Sequence, residues 1–242
     1  MRSSKRITAV LYVCCAALLI GLLIFPIRSG AVRLLIIVSA VVTVFGAPLF
    51  LRRKSARIVA LSMVTLVCGA IAFLPGRSPS MRQLRSAYVD ALRCYESDRY
   101  VWGGENARGV DCSGIVRAAW FDAQLRLGIR SANPQLIRSA LSVWWFDASA
   151  KELAAGYSGR THAMHSAKGI RANNDEGLLP GDFAIVARGV HALAYLGNQT
   201  WIEADPGMGK VIVIKTSDAN AWLDSSAVFV RWSELDQGTG HP

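Results

Sequence analysis

Residues 100–116 read YVWGGENARGVDCSGIV. A double glycine precedes an Asp-Cys-Ser-Gly run that opens onto alternating apolar positions, so the segment reads as a Gly-rich loop over 102–110 feeding a helix from Cys112 to about Leu127. Asp111 is its N-cap and Gly128 its stop. A thiol at such a place faces unpaired backbone N–H groups and the positive end of the helix dipole, which predicts a lowered thiol pKa. The same N–H groups can hold an oxyanion. Read alone, a lone cysteine is more often a small buried residue, so its neighbours decide.

Upstream lie three stretches without charge, about 7–27, 34–51 and 58–75, each long enough to cross a hydrocarbon core. They account for much of the 52% hydrophobic content. The first is long for a signal peptide, lacks a small-x-small site after it and is followed by two more spans, so a retained anchor is expected. Of 27 Lys and Arg, ten fall in residues 1–77, where there is no Asp or Glu. The remaining 17 basic side chains balance the 17 acidic ones, so residues 78–242 carry no net charge despite +10 overall. That excludes a nucleic-acid partner and assigns the basicity to membrane flanks. Seven of the ten flank the N-terminus and the second connection, while the first connection has only Arg28 and Arg33. The positive-inside rule then places residues 78–242 across the membrane from the N-terminus, against the counter-signal of Arg77, Arg82 and Arg85.

After a short linker at 76–80, residues 81–97 place Leu84, Tyr88, Ala91, Leu92 and Tyr95 at helical spacing, with Cys94 near the core. Residues 131–178 give no clear period and are expected to be helical or irregular, with 156–177 a long loop. From 180 onward, FAIVA, VHALAYL, TWIEA, KVIVI and AVFVR are short β-rich runs separated by turns. Helices first and strands after predict an α+β domain. Cys14, Cys15 and Cys68 fall in the spans, and no Cys-x-x-Cys or disulfide framework is present.

A catalytic cysteine needs a base. His241 is in the C-terminal tail, His162 and His165 fall in the loop-like stretch, and His191 lies in a strand with Leu193 and Tyr195 on the same face. A strand holds geometry better than a loop, which favours His191. An orienting carboxylate would be Glu203 on the next strand, or Asp205. A two-residue turn at Asn198-Gln199 pairs 197 with 200 and sends Glu203 to the face opposite His191, whereas a bulge reverses that. His162 and His165 lack a third ligand and read as loop residues, so no metal and no cofactor is expected.

These motifs resemble the NlpC/p60 family of papain-like cysteine peptidases over about residues 82–215. Tyr100 to Gly104 with Asp111 to Gly114 is similar to the nucleophile motif, Leu179 to Asp182 to the turn into the sheet, His191 to Gly197 to the base strand, and Trp201 to Ala204 to the strand of the third polar residue. The resemblance implies an α+β papain-like domain over 78–242, behind three transmembrane helices in 1–77. It implies Cys112 as nucleophile, His191 as base and Glu203 as orienting residue, with Asp205 the alternative. Tyr100, Asp111, Ser113 and Gly104 would line the oxyanion or substrate side. The implied substrate is the peptidoglycan stem peptide, commonly cut between D-glutamate and a diamino acid, and the implied location is a bacterial inner membrane with the domain facing the periplasm or exterior. Two departures stand out: the third polar residue is usually histidine, and the segment between Trp120 and Pro180 is longer than usual. Two other readings use the same chain: thiol acyl transfer or deamidation of another substrate, and a non-catalytic wall-binding scaffold.

Overall fold

In the computed structural model, residues 2–236 are described. Three helices lead: α1 (Arg2–Ile24), α2 (Gly30–Gly46) and α3 (Lys54–Phe73). Each contains a segment long and apolar enough to cross a membrane, with mean hydropathy 2.7, 2.2 and 2.1 in turn. α1 and α2 are antiparallel, with the Tyr12 hydroxyl donating to the Thr43 carbonyl at 3.0 Å.

The remaining chain is α+β. Helix α4 (Met81–Cys94) is capped by Ser80, whose hydroxyl accepts from the Gln83 N–H at 3.2 Å, and it buries Leu84, Tyr88, Ala91 and Leu92 as the spacing predicts. Then come the two-residue strands β1 (Glu105–Asn106) and β2 (Gly109–Val110), followed by α5 (Cys112–Arg130). This helix is buried nearly all round because small residues, Ala118, Ala119 and Ala123 among them, let α4, α6 and the sheet approach together. Gly128 does not stop it. A Cβ there would meet Ile137 and Leu136, so the glycine is a close-packing point and the helix ends two residues later.

The stretch 131–178 is largely ordered, contrary to the expected long loop. It forms α6 (Pro134–Trp145), α7 (Ala150–Ala154), β3 (Thr161–Ala167) and α8 (Ile170–Asn173). His162 and His165 are therefore strand residues. The run THAMHSA is an edge strand with mixed exposure, so it lacks the apolar alternation that marks the inner strands. The strands β4 (Phe183–Val186), β5 (His191–Gly197), β6 (Thr200–Asp205), β7 (Lys210–Lys215) and β8 (Ala227–Trp232) complete an antiparallel sheet of order β3-β8-β4-β5-β6-β7.

Both sheet faces are buried, which is why FAIV and HALAYL are continuous rather than alternating apolar runs. One face, with Phe183, Ala192, Ala194, Ile202 and Trp232, packs on α4 and α5. Trp232 stacks on Trp120 at 4.8 Å between centroids, with Tyr88 edge-on to Trp120 at 5.1 Å. The other face, with Leu193, Tyr195, Trp201 and Phe229, is covered by Ile170, Leu178 and Leu223. The 168–178 segment is thus a lid on the second face of the sheet.

Three cations on the side assigned as outside, Arg28, Arg33 and Arg85, are engaged by the fold. Arg28 donates to the Leu22 and Leu23 carbonyls at 2.6 and 2.8 Å, closing the end of α1. Arg33 pairs with Glu105 at 2.9 Å, and Arg85 donates to the Pro180 and Leu235 carbonyls beside Asp182.

Candidate active site

The loop before Cys112 is built by glycine contacts. A Cβ on Gly114 would collide with the Gly104 carbonyl, and one on Gly104 with the Gly109 carbonyl, so the hairpin and the first turn of α5 interlock only without side chains. Gly104 is buried behind the helix terminus, occupied by this packing rather than opening a groove. Asp111 ties the loop to the helix. Its Oδ1 accepts from the Gly114 N–H at 2.6 Å and the Ser113 hydroxyl at 3.0 Å, and its Oδ2 from the Gly103 N–H at 2.8 Å. This is the N-cap expected from sequence.

Cys112 opens α5 and is only 7% exposed. Its thiol reaches the carbonyl of Val190, the residue before His191, at 3.9 Å, so the helix terminus and the start of β5 meet at this sulfur. Its pKa departs from the sequence expectation: burial, then the neighbouring Asp111 charge, push the thiol up to about 11, outweighing the backbone N–H groups that pull it down. The resting sulfur is therefore a neutral thiol. Tyr100 lies alongside, held by its N–H to the Gly209 carbonyl at 2.9 Å and by a bridge to Val110. Burial, followed by Cys112, pushes its phenol up to about 12, so it remains a hydroxyl donor at neutral pH.

His191 is the first residue of β5 and is buried, its ring stacked on Trp222 at 4.4 Å and 20°. Its Nε2 is hydrogen-bonded to Glu203 Oε2. The register explains how. The two-residue turn does pair Gly197 with Thr200, with Asn198 and Gln199 both at positive φ, but the ladder shifts between Tyr195 and Gly197, so that Tyr195 pairs with Trp201. That bulge brings Glu203 back to the His191 face. Asp205 is spent elsewhere: its Oδ1 accepts from the Met208 N–H at 2.9 Å, closing the turn to β7.

Two residues that sequence reasoning missed complete the line. Asn220 Nδ2 donates to Glu203 Oε1 at 2.7 Å while its Oδ1 accepts from the Trp222 N–H at 2.9 Å, which fixes the amide orientation. Both residues sit in an aperiodic segment between β7 and β8 with no local signal beyond an Asn that can cap a turn.

His162 and His165 are apart from this site. His165 Nε2 meets Asn173 Oδ1 at 2.7 Å and stacks on Phe229, and His162 lies 3.2 Å from Asp236. Among the described residues no His, Cys, Asp and Glu group is arranged to hold a metal ion. Two large cavities, of about 990 Å³ at the linker and 480 Å³ between α2 and α5–α6, are not lined by Cys112, His191 or Glu203.

Among solved structures, similar ones include an NlpC/P60 family protein from Bacillus cereus (16% identity, covering 64% of this chain and 41% of that one, TM-score 0.42). NlpC1 from Trichomonas vaginalis (14%, 66% and 47%, 0.41) and the peptidoglycan hydrolase RipB from Mycobacterium tuberculosis (19%, 74% and 86%, 0.41) are others. This chain spans less than half the length of the first two. No curated protein sequence matches it. The NlpC/P60 family model, in contrast, matches residues 97–231, more than half of the chain and the whole run from the Gly-rich loop through the His191–Glu203–Asn220 line, and on that match the chain belongs to the NlpC/P60 family.

Proposed function

We propose that this is a membrane-anchored cysteine peptidase that hydrolyses amide bonds in peptidoglycan stem peptides. The observation that carries the reading is the junction of Cys112, at a capped helix terminus, with the buried His191–Glu203–Asn220 line. Membership of the NlpC/P60 family supports peptidoglycan as the substrate class.

With Nε2 committed to Glu203, the Nδ1 of His191 is the nitrogen left for the thiol. As substrate binds, His191 takes the Cys112 proton and sulfur bonds to the amide carbon. The Cys112 N–H and the Tyr100 hydroxyl receive the oxyanion. The C–N bond breaks as His191 returns its proton to the leaving amine, and a water deprotonated by His191 then cleaves the thioester and restores the thiol. Asn220→Ala would remove a bond to a charged partner worth about 1.5–3 kcal/mol, so kcat should fall roughly 10- to 100-fold with KM little changed in steady-state kinetics.

The anchor reading rests on α1–α3. The end of α1, the start of α2 and the end of α3 all contact the domain, the last through Arg138 to the Ile71 and Leu74 carbonyls at 2.6 and 2.9 Å. The N-terminus and the basic 52–57 segment are at the opposite ends of those helices. This supports a bacterial inner-membrane protein with its domain in the periplasm or exterior.

The test uses the full chain in detergent with Cys14, Cys15, Cys68 and Cys94 replaced by alanine. Because the thiol sits at about 11, alkylation by iodoacetamide should be slow at pH 7 and rise as pH increases toward that value. Digestion of cell-wall sacculi should fall in step with the modified fraction. Undiminished digestion by fully alkylated protein would refute the proposed nucleophile.

A further inference from the structure

The connection between the first two apolar helices lies on the loop that leads to the nucleophile. Ile27 bridges to Gly104, the Arg28 N–H donates to the Gly103 carbonyl at 3.2 Å, and the Glu105 N–H donates to the Pro26 carbonyl at 3.1 Å. Asn106 Nδ2 adds a bond to the Phe25 carbonyl at 2.9 Å. Residues 26–28 therefore run antiparallel to the chain entering the β1–β2 hairpin, joined to it by a single bridge. The opposite end of the same loop holds Asp111, through the Gly103 N–H to its Oδ2 and through its own N–H to the Gly104 carbonyl at 3.1 Å. Gly103 and Gly104, which take two of these four contacts, are also the residues bonded to Asp111, the cap of the nucleophile helix.

An ion cluster, buried except for the exposed Asp147, sits beneath this junction. Arg33, from the first turn of α2 and 2% exposed, donates to both oxygens of Glu105 at 2.9 Å. Arg117, five positions after Cys112 on α5, pairs with Glu105 and with Asp147, the latter at 2.7 Å. Arg33 also faces Asp147 at 3.6 Å, giving two cations and two carboxylates. A tether needs none of this, because the 76–80 linker already joins anchor to domain. Burying three of these charges, Arg33, Glu105 and Arg117, carries a desolvation cost, and the return it gives is a fixed register between the elements that contribute them.

We infer that the α1–α2 connection is part of the active site, with Arg33 a positioning residue that holds Glu105 and, through it, the 103–111 loop and the N-terminus of α5 in the geometry hydrolysis requires. This rests on Cys112 being the nucleophile. Arg33 touches no reacting atom. Its effect is on placement of the Cys112 N–H and the Tyr100 hydroxyl, where displacement of about an ångström is enough to cost up to roughly 100-fold.

The experiment compares full-length wild type, Arg33→Ala and Arg33→Lys in detergent, in the background with the other four cysteines replaced. Arg33→Ala should lower kcat on sacculus fragments by about tenfold or more with KM within about twofold, and Arg33→Lys, which restores the charge but not the paired geometry, should recover part of the loss. A second readout needs no substrate. Loosening the loop hydrates the thiol, so the pH profile for alkylation of Cys112 should move to lower pH in Arg33→Ala and return toward wild type in Arg33→Lys. If Arg33→Ala does not fold, Glu105→Gln is measured in the same assays and should show the same two effects. Unchanged kcat together with superimposable alkylation profiles would overturn the inference. A wild type that hydrolyses nothing would sink the hydrolase reading instead, and the alkylation comparison would still decide the role of Arg33.

Discussion

Glu203→Gln should reduce kcat by about 10³- to 10⁴-fold while leaving the fold intact. The size is that expected when a base is held in the wrong tautomer, about 4–5.5 kcal/mol in the barrier. The reason lies in the hydrogen-bond line. Asn220 has its Oδ1 held by the Trp222 N–H, so it can present only its NH₂ to residue 203. A glutamine there must turn its carbonyl to Asn220 and its own NH₂ to His191. Nε2 then has to accept, which moves the ring proton to Nδ1 and removes the base that would take the thiol proton. Steady-state kinetics on sacculus fragments, with thermal unfolding as control, measure this. A loss below about tenfold with an unchanged melting temperature would show that Glu203 does not set the tautomer.

Asp182→Ala should be the most destabilising polar substitution in the domain, by about 3–5 kcal/mol. Asp182 is buried at the turn into β4. Its carboxylate accepts from Arg231 Nε and Nη2 at 2.8 and 2.7 Å and from the Leu179 N–H at 2.7 Å, with Arg85 at 3.4 Å. Alanine would leave two half-buried guanidinium groups facing each other with no anion between them, and an unpaired N–H in the turn. For a domain of this size the expected fall in Tm is about 6–20 °C. Asp182→Asn, which keeps an acceptor for Leu179 but loses the charge, should fall between. A Tm within about 2 °C of wild type for the alanine variant would mean that Arg85 and Arg231 find other partners.

The sequence carried the chemistry better than the geometry. Asp111-Cys112-Ser113-Gly114 marks a capped helix start with a thiol at its first residue, and the structure has both, because a cap and its helix are local. The thiol pKa lies above the sequence expectation for the complementary reason: the helix terminus is visible in the sequence, whereas the burial that dominates it is contributed by distant elements. Residue types at His191 and Glu203 were legible, but their meeting depends on a bulge near Gly197, and one inserted ladder position leaves no mark in a run such as HALAYLG. Asn220 and Trp222 were invisible because neither belongs to a periodic element. β3 was lost for want of apolar residues, since an edge strand packs on one side only, and Gly128 looked like a stop although it is a contact point between helices.

The most direct test of the central claim is digestion of purified sacculi by the full chain in detergent, wild type beside Cys112→Ala, with released fragments identified by mass. The account predicts stem-peptide fragments ending at a single type of amide bond from wild type, and none above background from Cys112→Ala at equal folded concentration. Equal release from the two proteins, or no release from a wild type whose Cys112 alkylates with the expected pH profile, would contradict it.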